Sequence, residues 1–148
     1  MTTLKEQLLN PQIRARVVDD AARLVDAEVQ AKSGLSGIAI KTGYKAVVAV
    51  KPTLIREAVD TMLDRFVEKL EPFHADWLAK GKAQPFDAFI NTRAHQVTNA
   101  LLSVTDDRAR SIAHGTVKKT YEMLRPQGEK NVEAAIPGLA RMVARYIK

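Results

Sequence analysis

Hydrophobic positions recur along this chain at spacings of three and four, and almost no segment alternates with period two. That pattern predicts amphipathic α-helices. Leu4, Leu8 and Leu9 form a short amphipathic turn. Asn10-Pro11 restarts the helix, with Asn10 as N-cap and Pro11 at the first helical position. Ile13, Val17, Ala21, Leu24, Val25 and Val29 then line one face, and Ser33-Gly34 ends the helix with Gly34 as a left-handed terminus. Thr53 is placed to cap a second long stripe from Ile55 to Leu70, which Pro72 closes. Phe73 to Lys80 reads as a short helix stopped by Gly81, and Lys80 to Pro85 as a loop. Phe86, Phe89 and Ile90 make a further turn of helix, and Val97 to Val104 another helix. Thr105-Asp106-Asp107 breaks that helix and offers caps for the next one. Thr116 to Arg125 is helical, and Val132 to Ile147 forms the last stripe. Pro137 lies inside it, so the helix either kinks there or starts anew. No internal repeat is visible. The pattern predicts one all-α domain over residues 1–148, a bundle of about six to eight helices.

The segment Lys32 to Pro52 is the ambiguous one. IAIKTGYKAVVAV could fold as a hairpin across Lys41-Thr42-Gly43. A lone hairpin would have no sheet to join. As a helix, the segment puts Ile40, Tyr44, Val47 and Val48 on one face. Gly37, Gly43, Ala46 and Ala49 then allow close approach of neighbouring helices, and helix is the expectation. Ser33-Gly34-Leu35-Ser36-Gly37 lacks the glycine-lysine-serine ending of a phosphate loop and reads as a tight interhelical turn. The segment is also basic on one side and apolar on the other, as a membrane-surface helix is, but without Trp or Phe.

Composition adds limits. With 148 residues, 46% hydrophobic and 27% charged, the chain has the balance of a globular protein that buries roughly two-thirds of its surface. The absence of cysteine removes disulfides, thiolate metal sites and a cysteine nucleophile, and fits a reducing cytoplasm. The first residues do not have the shape of a secretory signal, and no window is apolar enough for a membrane span. Net charge is +6. Residues 1–74 carry 11 basic and 10 acidic side chains, and residues 75–148 carry 12 and 7, so the excess lies in the second half. This favours an anionic partner.

The candidate chemistry is sparse. His74 could act as a base near Asp76, but residues two apart on a helix diverge, and Trp77 with Phe73 suits a core anchor. His74 and Trp77 therefore mark, at most, an interhelical pocket. His74, His95 and His114 show no metal-ligand spacing, so neither metal nor cofactor is expected. Arg141, Arg145 and Lys148 fall on one line of the last helix, with Lys118, Lys119, Arg125 and Lys130 upstream and Tyr121 and Tyr146 interleaved. Such a set could follow a phosphate backbone, although no helix-turn-helix or RNA-binding motif accompanies it.

The order KSGLSG, GYKAV, VKP, LEPF, ALLSVTD and VEAAIPGL resembles an uncharacterised family of small, single-domain bacterial proteins. The resemblance spans nearly the whole chain and implies no catalytic residues. The expected function is that of a non-enzymatic helical module working through protein contacts, self-association included. Its motive is the stripe Ile55–Leu70 beside the small-residue helix. Nucleic-acid or polyanion binding by the basic set is the first alternative, and an interhelical ligand or catalytic pocket the second.

Overall fold

The computed structural model describes residues 2–148, and these contain helices and no strand. The order is α1 (Leu4–Leu8), α2 (Arg14–Ala31), α3 (Gly34–Val50), α4 (Leu54–Ala79), α5 (Phe86–Asn91), α6 (Ala94–Ala109), α7 (Gly115–Leu124) and α8 (Gly128–Ala144). A 3-10 turn, Arg125–Gln127, joins the last two. The all-α bundle is as the periodicity predicts, and residues 38–50 are helix rather than hairpin.

α4 is the axis. Its 26 residues give a rod roughly 39 Å long. α1, α2, α5 and α6 all pack on it, and α8 covers α2, α5 and α6. α2 runs antiparallel to α4, because Arg14 pairs with Asp60 and Asp64 while Asp19 pairs with Arg56. Val59, Leu63, Val67 and Leu70 are buried in a core shared with Leu4, Leu8, Val17, Phe89 and Ile136. The stripe expected to drive association is thus largely absorbed within the chain.

One internal proline corrects an expected boundary and the other decides an open one. Pro72 does not close a helix: α4 continues through it, so Phe73–Lys80 is the last part of α4. Pro137 does not break α8. Both prolines are exposed. Each deprives the carbonyl four residues back of its donor, at Glu68 and Glu133, and both of these residues face water, which can replace the lost bond.

Other termini also differ from expectation. α2 proper begins at Arg14. Asn10 instead organises the preceding turn, accepting Gln12 N–H at its side chain and Ile13 and Arg14 N–H at its carbonyl. Thr53 occupies the cap position of α4 without a side-chain bond. Gly34 is left-handed, with φ +72°, but it opens α3 after an extended Lys32-Ser33 link. Gly81 stops α4 as expected: its N–H bonds Leu78 O and that of Lys82 bonds Trp77 O, the two bonds of a Schellman ending. Thr105, Asp106 and Asp107 lie inside α6 and cap nothing, because their side chains have partners on other elements.

α3 makes the close approaches its small residues suggested. A Cβ on Gly43 would lie 2.9 Å from Thr120 of α7, and one on Gly37 would lie 2.8 Å from the carbonyl carbon of Lys32. Ala49, by contrast, faces solvent. Helix propensity alone would make Gly37→Ala stabilising by about 0.5–1 kcal/mol. Backbone crowding at the α2–α3 corner reverses the sign, and a net loss of about 1–3 kcal/mol in urea or thermal unfolding is expected. Gly115→Ala, with nothing within 4 Å of the added methyl, is the control and should be neutral or stabilising.

A candidate apolar ligand cavity

Between α2, α4, α6 and α8 the helices do not close completely. They leave a cavity of about 360 Å³. α2 contributes Ala21, Leu24 and Val25, α4 Leu63 and Phe66, α6 Leu101 and Leu102, and α8 Ala135, Ile136 and Leu139. Leu8 of α1 and Ile40 of α3 also reach it. The lining from Val17 to Lys32 follows α2 for 15 residues, or roughly 22 Å, so the space is long and narrow.

Only four lining residues are polar: Glu28, Lys32, Thr105 and Asn131. Glu28 and Lys32 belong to the last turn of α2 and its C-cap, four residues apart on one face. Neither forms an ion pair among the described residues. Asn131 lies in the first turn of α8. The opposite end, with Leu8, Leu70 and Val143, is apolar. There α1 acts as a plug, and Glu71 of α4 pins it. The two carboxylate oxygens accept the N–H groups of Leu4 at 2.9 Å and Lys5 at 3.2 Å, the orphan donors of a helix start. The backbone N–H of Lys148 donates to Gln7 Oε1 at 2.7 Å and ties the C-terminal residue to the same plug.

His74 and Trp77 lie elsewhere. His74 is 1% exposed, with Trp77 and Phe86 ring centres 5.7 and 5.9 Å away. Trp77 Nε1 donates to Gln84 O at 2.8 Å. Neither residue lines the cavity. Both ring nitrogens of His74 lack a hydrogen bond, and Nδ1 stands 3.5 Å from Glu71 Oε2. Burial pushes the imidazole pKa below its ordinary value, and nearby Glu71 only partly opposes this.

The basic residues are divided between elements. Lys118 and Lys119 are exposed on α7, which lies on α3. Lys130, Arg141, Arg145 and Lys148 belong to α8 and the residues after it, on the other side of the cavity. Arg125 is engaged internally: it grips Asp106 with Nε at 2.8 Å and Nη2 at 3.0 Å. Arg125 and the Tyr121 hydroxyl hold that carboxyl below the usual range, and burial together with Asp106 raises the Tyr121 phenol. Arg145 faces Asp20 at 3.7 Å. Burial and the hydrogen bond to Asp20 push Tyr146 up to about 12. Among the described residues no group of three or more His, Asp or Glu is placed to share a metal ion. No helix is long and apolar enough to cross a membrane.

The fold and cavity together define a class: a small all-α bundle with an almost wholly apolar chamber between its helices. The sequence model of a family of unknown function, DUF6918, matches residues 4–147, and the chain belongs to that family. No curated protein and no solved structure matches it.

The cavity was visible in the sequence only as ordinary apolar stripes, because a stripe does not reveal whether facing stripes meet or leave a gap. The pairing of Glu71 with α1 carries no local signal, since it joins residues 66 and 67 apart.

His74 gives a pH prediction. Its folded pKa lies below the unfolded value, so below about pH 6.5 the unfolded chain takes up a proton that the fold refuses. Stability should therefore fall as pH drops through and below 6.5. In His74→Phe, which also removes two unpaired buried nitrogens, the melting temperature should be at least as high at pH 7 and depend less on pH between 7 and 5. An unchanged pH slope would show that His74 is not the group responsible.

Proposed function

We propose that this protein binds one elongated, mainly aliphatic small molecule in the chamber between α2, α4, α6 and α8, with a polar head beside Lys32, Glu28 and Asn131. The observation that supports this is the chamber itself, about 360 Å³ of space with almost wholly apolar walls, and with Glu28, Lys32 and Asn131 at one end of its lining. That volume lies in the range of small-molecule sites. Two turns of a partner helix would need roughly 850 Å³, so the chamber suits a small molecule better than a peptide. Energetics point the same way. An aliphatic occupant would take the chamber's apolar walls out of contact with water, which favours binding at roughly 25 cal/mol per Å² covered. The reading is of a binding protein rather than an enzyme, because the polar end offers no nucleophile paired with a base.

A fluorescent long-chain fatty acid tests it. Saturable one-to-one binding is expected, with long-chain alcohols and acids competing. Ala135→Phe puts a ring into the chamber from α8 and should weaken binding at least about tenfold, or 1.4 kcal/mol, while holding or raising the melting temperature. Absence of saturable binding to any aliphatic probe, or full affinity in Ala135→Phe, would overturn the assignment.

A further inference from the structure

The outer face of α3 is a second feature, independent of the chamber. The inner face, Gly37, Ile40, Gly43 and Val47, is buried. On the outside Leu35, Ile38, Thr42, Lys45 and Ala49 succeed one another at spacings of three and four, and all are exposed. Leu35 is 87% exposed and Ile38 63%, both in the first turns after the left-handed Gly34. Large aliphatic side chains so fully in water need a reason when they sit side by side.

Charge indicates what covers them. No acidic residue occurs between Glu28 and Glu57. Of the lysines in that interval, Lys51 is paired with Glu57, whereas Lys32, Lys41 and Lys45 form no ion pair among the described residues. α7, packed on α3 at Gly43, also carries exposed Lys118, Lys119 and Met123, the last 59% exposed. The face is therefore apolar at its leading turn and basic around it, the pattern of a helix that lies in a lipid interface.

We propose that this face of α3 docks on the surface of an anionic bilayer, with Leu35 and Ile38 entering the headgroup boundary and Lys41 and Lys45 meeting lipid phosphates. A nucleic acid would satisfy the lysines but gain nothing from Leu35 and Ile38. A second copy meeting the same face about a two-fold axis would bring together two sets of lysines with no acid between them. An anionic lipid surface satisfies both halves of the pattern. No spanning segment is needed, because docking involves only one face of a helix.

Co-sedimentation of the full chain with phosphatidylcholine vesicles, with and without phosphatidylglycerol, tests the proposal. Binding is expected only to the anionic vesicles, and it should fall as salt rises. The double variants Leu35→Asn/Ile38→Asn and Lys41→Glu/Lys45→Glu should each reduce the bound fraction at low salt, by about tenfold in partition constant. All four side chains project from an already formed helix, and circular dichroism and thermal melting of the variants will confirm that the fold is kept. Ala135→Phe should bind vesicles like the parent, so failure here and failure of the chamber reading are separable. The proposal is overturned by any of four results. These are no sedimentation with anionic vesicles, equal binding to neutral ones, binding indifferent to Leu35 and Ile38, or an oligonucleotide or a second copy engaging the face while vesicles do not.

Discussion

The structure depends on one unbroken helix. α4 passes Pro72 without interruption because that proline faces water, and the carbonyl it orphans at Glu68 is solvated too. The same ring turned toward the core would have left a carbonyl without a partner in an apolar interior. Continuity lets one rod serve two functions. Up to Leu70 it packs α2 and walls the chamber, and beyond that Glu71, His74 and Trp77 hold α1 and α5.

The chamber arises from how the other helices meet that rod. Ion pairs at Arg14 and Arg56 set α2 along α4, and the clasp of Arg125 and Tyr121 on Asp106 sets the joint between α6 and α7. Small residues then control separation. At Gly138 of α8 a methyl would lie 2.8 Å from Leu24 of α2, so these helices touch closely at that level. Elsewhere Ala21 and Ala135 face the gap without filling it. Helices are stiff and their side chains come in fixed sizes, so facing apolar stripes need not fill the space between them.

α3 and α7 form a more peripheral layer. They meet each other closely through Gly43, and the outward sides of α3 and α7 remain basic and partly apolar. The bundle thus presents two unlike features, an apolar space between its helices and an amphipathic outer face. Ile40 of α3 touches the first, and Leu35 and Ile38 belong to the second.

Much of this was legible in the residues. Spacings of three and four are imposed by helix geometry, so the all-α class, the helical state of residues 38–50, the stop at Gly81 and the close approaches at Gly37 and Gly43 could all be read locally. Proline boundaries and the Thr105-Asp106-Asp107 segment could not. A proline ends a helix or is tolerated according to which face meets water, and an acid caps a helix or clasps an arginine according to what stands opposite. Those are properties of neighbours distant in the chain. The same holds for the candidate sites. The lysines and apolar stripes were plain in the sequence, but only tertiary packing decided that Arg125 is consumed by Asp106, that His74 is sealed among rings, and that facing stripes leave a chamber. Periodicity specifies which face of a helix is apolar; how completely two apolar faces meet is a volume, and volume exists only once the helices are assembled.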